Sequence, residues 1–135
     1  DSEGLILLTN DGMFSQELIH PSNGFTKTYE VELRKPMSEE DLIKWSKGVE
    51  AEGHFLKPIS VRRLSRTPLG CCFEVVLGEG IKREIRLMAR ALDNDVRRLY
   101  RRKIGRLTLK ALPAGEFVKT DKETLWHYIR DGKTI

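Results

Sequence analysis

The chain has 135 residues, 39% of them hydrophobic and 33% charged, with a formal net charge of +4; this is the size and balance of one soluble globular domain over residues 1–135, large enough to bury a core. Its longest apolar run, Leu5–Leu8, is far too short to cross a bilayer, and the opening residues do not have the pattern of a secretory leader. Cys71 and Cys72 are adjacent, which disfavours a bridge between them and does not match metal-ligand spacing, so they read as two small core residues in a reducing, cytoplasmic compartment.

Leu5-Ile6-Leu7-Leu8-Thr9 is a continuous apolar run closed by the turn signal Asn10-Asp11-Gly12, which predicts a buried strand. Met13–His20 suits a short helix, with Pro21, Asn23 and Gly24 marking the loop after it. From Phe25 to Leu33 the pattern alternates, placing Phe25, Lys27, Tyr29, Val31 and Leu33 on one face and Thr28, Glu30 and Glu32 on the other. Ser38 followed by Asp41 is a capping-box-like start for a helix that runs to about Lys47 and stops at Gly48. Ile59–Ser65 and Cys71–Leu77 read as strands joined by a turn at Thr67-Pro68-Leu69-Gly70. A helix over Ile81–Leu92 puts Ile81, Ile85, Met88 and Leu92 on one face, with Lys82, Arg86 and Arg90 as a basic stripe beside it. Val96–Lys103 and Arg106–Leu109 are strand-like, Leu112-Pro113-Ala114-Gly115 breaks the pattern, and a helix near Lys122–Arg130 ends it. Strands and helices mix without a regular alternation, so the expected class is α+β around a largely antiparallel sheet.

The net charge conceals an uneven distribution. Residues 82–110 hold 11 Lys or Arg against 3 Asp or Glu, whereas the rest of the chain holds 13 basic and 17 acidic residues. A basic segment on a mildly acidic body is the electrostatic footprint of a polyanion site, with a solvated charge run as the plain alternative. At its start, Gly78-Glu79-Gly80 leads into a helix whose first turns carry Lys82, Arg83 and Arg86. Cations there oppose the helix macrodipole, so the segment is expected to hold an anion, either a phosphate or a carboxylate. Nucleophile-elbow, phosphate-loop and zinc-ligand patterns are absent from the sequence, and His20, His54 and His127 are scattered and read as surface or packing residues. The remaining candidates are Lys27, Tyr29, Glu79, the basic helix and the arginine-rich strand.

Leu5-Ile6-Leu7-Leu8-Thr9-Asn10-Asp11-Gly12, His20-Pro21, Lys27-Thr28-Tyr29, Glu79-Gly80-Ile81-Lys82-Arg83-Glu84-Ile85-Arg86-Leu87-Met88 and Leu112-Pro113-Ala114-Gly115-Glu116-Phe117 occur in that order over nearly the whole chain. The series resembles the RsuA-type branch of the ribosomal RNA pseudouridine synthases. That resemblance implies a mixed, mostly antiparallel sheet flanked by helices and loops, with a cleft across the sheet. It implies isomerisation of a specific uridine in ribosomal RNA without cofactor or metal. A catalytic aspartate starts cleavage between ribose and uracil, and the freed base turns and is rejoined through carbon 5; the base has to leave its stack to be reached.

Laid on this sequence, the family's roles fall on Tyr29 as the tyrosine that stacks on the target base and is discussed as a proton acceptor. They fall on Arg86 as the partner that favours the ionised catalytic carboxylate, and on Ile85 as the aliphatic wall of the pocket. From the residues alone, Tyr29 is a core tyrosine beside Val31 and Leu33, and Ile85 a packing residue. Lys27, Lys82, Arg83, Arg90, Arg97, Arg98, Arg101 and Arg102 are the expected RNA contacts, each with a solvated surface charge as the alternative. The expected partner is ribosomal RNA and not a membrane, and the intact enzyme is expected to be a monomer.

One departure bears on activity. The family's catalytic aspartate sits in an Arg-Leu-Asp segment five residues before the glycine matching Gly4, whereas Asp1 lies three residues before it. Asp1 therefore matches a second acidic residue of the motif, with Ser2 as the hydroxyl residue after it, and the nucleophile is expected two residues upstream of Asp1. The family's small N-terminal RNA-binding domain has no counterpart in this stretch. A shortened chain, proteolytic trimming or mobile upstream residues would each produce such a start. The expectation is a catalytic-domain fragment that binds RNA in a salt-dependent way without forming pseudouridine. Leu5–Leu8, left with an unpaired edge, would then invite association between chains. Against this stand two other readings: a non-catalytic RNA-binding or ribosome-assembly protein that uses the same surface, and a basic α+β module with no RNA role.

Overall fold

The computed structural model describes residues 2–20, 24–78, 83–109 and 112–132. The expectations placed on Asp1, the Ser2 side chain, Pro21, Asn23, Glu79, Gly80, Ile81 and Lys82 lie outside the described residues. In chain order the elements are β1 (Ser2–Gly4), α1 (Gly12–Ile19), β2 (Lys27–Leu33), α2 (Glu39–Lys47), β3 (Val49–Ala51), β4 (His54–Leu56), β5 (Ser60–Arg63), β6 (Cys72–Leu77), α3 (Glu84–Ala91), β7 (Val96–Ile104), β8 (Leu107–Thr108) and α4 (Lys122–Asp131). The main sheet runs β1-β7-β2-β6-β5, with β8 on β7; β1 is parallel to β7 and the other pairs are antiparallel. This is the mixed, mostly antiparallel α+β sheet expected from the sequence.

Local chemistry explains most of the boundaries. The Asp11 carboxylate accepts from the amides of Met13 and Phe14 at 3.0 and 3.1 Å and starts α1. The Ser38 hydroxyl accepts from the Asp41 amide at 3.1 Å to start α2, which carries acids in its first turn, bases in its last, and Gly48 at φ 102° as its stop. Asp121 does the same for α4 through the Thr124 amide at 2.8 Å. Cys71 and Cys72 are buried free thiols, as their composition suggested.

The core gathers in two clusters. The first holds Val31, Leu33, Phe73, Val75, Leu77 and Leu99 from the sheet with Trp45 from α2 and Ile85, Met88 and Ala89 from α3. The second holds Leu5, Phe14, Ile104, Leu107, Leu125 and Ile129, with Phe25 and Trp126 packed against it.

Two expectations are corrected and one hairpin is added. Leu5–Leu8 is not a strand: pairing with β7 covers only Ser2–Gly4, after which Leu5 is buried while Ile6 and Leu8 are 65% and 85% exposed. An apolar run is equally compatible with a segment that buries one residue and turns, and Gly4 at φ 106° supplies the turn. Without a ladder over Leu5–Leu8, the association argued from its unpaired edge loses its basis. The basic helix is shorter than Ile81–Leu92: it begins at Glu84, because Arg83 stands at φ 59°, a left-handed conformation that a helix cannot continue. The hairpin β3–β4 was missed. Its turn, Glu52-Gly53 at φ 49° and 79°, lacks the Asn-Gly or Asp-Gly signature that marks such turns in sequence.

Candidate functional site

Strands β2 and β7 each cross from one core cluster to the other. On β2, Tyr29, Val31 and Leu33 belong to or pack against the first cluster; Phe25, two residues before the strand, packs on the second, and Lys27 falls between. On β7, Leu99 is in the first cluster and Ile104 in the second, with Arg101 between. Tyr29 lies opposite Arg101 on one side and Val75 on the other, so the side chains of Tyr29 and Arg101 share the face covered by the first core. The seam between the cores is therefore lined by a half-buried tyrosine, a half-buried lysine and a half-buried arginine.

Arg101 is also a clamp. Its backbone carbonyl accepts from the Leu5 amide at 2.9 Å, and its Nε donates to the Leu5 carbonyl at 2.8 Å. Burial, then the charge of Arg101, pushes the Lys27 pKa down, with Glu84 acting in the opposite sense.

Helix α3 brings Ile85 into the first cluster, against which Tyr29 packs. Arg86 is half-buried on the same helix. Burial, then the neighbouring charges of Arg83 and Arg90, lowers its pKa, and an arginine remains a cation under any such pressure. Those three side chains thus form a cationic face on α3. Arg90 continues it into an open depression of 580 Å³ lined with Arg34 and Lys35, where Asp93, Asn94 and Asp95 complete the lining. Arg34 and Lys35 were not singled out in the sequence, because two basic residues after a strand carry no motif.

The arginines of β7 do not form one surface. The register with β2 shifts between Thr28 and Tyr29 and again between Glu32 and Leu33. Both shifts leave an extra residue on β7, Arg102 in the first and Arg97 in the second. Arg97, Arg98 and Arg102 are exposed and engage glutamates on the sheet side opposite Arg101: Arg97 with Glu32 at 3.4 Å, Arg98 with Glu3 at 3.3 Å, Arg102 with Glu30 at 3.0 Å. Arg62 and Glu74 add a two-point pair on that face, and Arg66 also meets Glu30. Exposed pairs of this kind contribute little to stability, about 1 kcal/mol at most, so a phosphate can compete for these arginines.

Glu30 has a measurable consequence. Burial alone would raise its carboxyl, but hydrogen bonds and charge from Arg66, then Arg102, hold it below the ordinary carboxylate range. A depressed native pKa stabilises the fold above the unfolded value of about 4.3, and that contribution is lost as pH falls through the native value. The Glu30→Gln chain is expected to show a flatter fall of its urea midpoint below about pH 4.5 than the unaltered chain. Equal slopes would mean the pairs do not persist in solution.

His20, His54 and His127 are all exposed, as expected of surface residues. Among the described residues, no helix is long and apolar enough to cross a membrane.

The fold is that of a solved pseudouridylate synthase, which matches with a TM-score of 0.80 at 29% identity, over 93% of this chain and 54% of that one. No family model matches the sequence. An uncharacterised RNA pseudouridine synthase of Bacillus subtilis, YtzG, is 35% identical over 93% of this chain and 53% of its own length. The dual-specificity RNA pseudouridine synthase RluF of Escherichia coli is 33% identical over 87% of this chain and 39% of its own. The ribosomal small subunit pseudouridine synthase A of Escherichia coli is 30% identical over 93% and 54%. The chain belongs to the RNA pseudouridine synthase family. It spans about half the length of the curated relatives it matches.

Proposed function

We propose that this chain is the catalytic-domain part of an enzyme that isomerises a uridine in ribosomal RNA to pseudouridine. The observation that carries the reading is the placement of Tyr29 at the seam, half-buried on the central strand β2 opposite Arg101, with Ile85 in the core it packs against. In this reading the Tyr29 ring receives the flipped base and its hydroxyl is placed to accept a proton. Ile85 closes the apolar side of the pocket. Arg86 holds the catalytic carboxylate ionised, and Arg83 and Arg90 extend its charge along α3 towards the RNA backbone.

The catalytic aspartate is placed, by motif register, two residues before Asp1. Gly4 supports that register: its left-handed backbone and contact with β7 call for a glycine, which is what the motif has there. The work is assigned to a reducing, cytoplasmic setting, where Cys71 and Cys72 stay as thiols.

The test is tritium release from ribosomal RNA carrying uridine labelled at carbon 5. It is run on the 135-residue chain and on the same chain extended upstream of Asp1 in its gene. Release by the extended chain alone is the expected result. Turnover by the 135-residue chain would overturn the motif register. RNA binding by both without release by either would favour the non-catalytic binder.

Neutralising Lys82, Arg83 and Arg90 together is expected to weaken RNA binding and flatten its salt dependence by about 2 in log–log slope, at about 0.7 per phosphate on a single strand. An unchanged slope would take the basic helix out of the RNA surface.

A further inference from the structure

The arginines on the outer side of the sheet all meet carboxylates: Arg62, Arg66, Arg97, Arg98 and Arg102 pair with glutamates. The two cations at the seam do not. The Lys27 side chain makes no hydrogen bond or ion pair among the described residues, although it is half-buried. Arg101 uses its Nε on the Leu5 carbonyl at 2.8 Å, while its two terminal amino groups have no such partner among the described residues. Lys27 lies two residues before Tyr29 on the same face of β2, and Arg101 lies directly across from Tyr29 on β7. Arg101 disfavours the charged form of Lys27 more than Glu84, the acid acting on it, favours that form.

We propose that Lys27 and Arg101 together form a seat for one phosphate group of the nucleotide whose base lies against Tyr29. The seat rests on the reading of Tyr29 given above. An anion between the two side chains turns mutual repulsion into charge-assisted hydrogen bonds, which are stronger where water is partly excluded. The Leu5 carbonyl holds the Arg101 guanidinium in one orientation, so its remaining donors are fixed before the ligand arrives and less freedom is lost on binding. An aromatic face for the base beside a fixed cation pair for the phosphate is a mononucleotide site. The exposed arginines of the outer face, by contrast, give charge without orientation.

The test is an NMR titration of the 135-residue chain with uridine, uridine 5′-monophosphate, uridine 3′-monophosphate and inorganic phosphate. One of the two monophosphates is expected to bind about tenfold more tightly than uridine, and which one it is identifies the phosphate concerned. In the Lys27→Gln chain that advantage, taken relative to uridine binding by the same variant, is expected to fall to about twofold or less, while Lys27→Arg retains most of it. Inorganic phosphate alone is expected to shift the side-chain signals of Lys27 and Arg101. Equal binding of uridine and both monophosphates, or an advantage that survives Lys27→Gln, would overturn the seat. Phosphate shifts confined to Arg97, Arg98 and Arg102 would overturn it as well. Phosphate shifts at Lys27 and Arg101 without any uridine binding would support the seat and count instead against Tyr29 as the base platform.

Discussion

Replacing Tyr29 with phenylalanine in the upstream-extended chain is expected to lower pseudouridine formation by about 100- to 10,000-fold, the range lost with a group that transfers a proton. The ring is what packs. Tyr29 lies against the first core cluster beside Val31 and across from Val75, and phenylalanine keeps that contact and the stacking surface proposed for the base. The melting temperature and RNA affinity are therefore expected to stay close to those of the unaltered chain, the latter within about threefold, because only a hydroxyl at a half-open position is removed. Tritium release and a thermal melt on the same preparation separate the two roles. Full turnover by Tyr29→Phe would reduce Tyr29 to the core tyrosine that the residues alone allowed. Equal loss of turnover and stability would make the hydroxyl a structural group.

The second large effect is structural in origin. A Cβ on Gly4 would lie 2.2 Å from the Arg101 carbonyl oxygen and 2.8 Å from its amide nitrogen, on a residue at φ 106°. Both neighbours are backbone, so no side-chain rotation relieves the contact, and the left-handed conformation adds its own strain. Gly4→Ala is expected to cost about 3 kcal/mol, or else to release Ser2–Leu5 from β7. Release breaks both Leu5–Arg101 hydrogen bonds and with them the fixed orientation of the Arg101 guanidinium. The phosphate advantage argued for Lys27 and Arg101 should shrink in the same variant. A melt combined with amide exchange at Leu5 distinguishes strain from release. Gly12→Ala is the control: no atom lies within 4 Å of its Cβ position, and alanine is favoured at the start of α1. If the two variants were equally stable, the close approach of β1 to β7 would not exist in solution.

Much of the fold was legible because its signals are local. Ser38, Asp41 and Gly48 delimit α2 within ten or so residues of one another, and the alternation from Tyr29 to Leu33 assigned the inner face of β2 correctly. The candidate site was legible only as residue types. Tyr29, Ile85 and Arg86 stood out through ordered motifs, and the excess of cations in residues 82–110 marked a basic region. What escaped depends on partners distant in the chain. Arg101 was grouped with Arg97, Arg98 and Arg102 as one basic strand, since nothing between Val96 and Ile104 reveals where β2 forces an extra residue out of register. Leu5–Leu8 looked like a strand because hydrophobicity states that a residue is to be buried and not which neighbour will bury it.

By itself, then, the sequence determined the types of most elements, the inner face of β2 and the location of the positive segment. Capping, turn chemistry and side-chain periodicity all act over a few residues, so a linear reading captures them. Only the tertiary structure decided which cations are neutralised and which are left facing the seam. That choice is made by the register of β1, β2 and β7, where Gly4, Tyr29 and Arg101 come together across some 70 to 100 residues of chain. Register of this kind is selected by burying both core clusters at once, a condition on the whole sheet that no single stretch of sequence expresses.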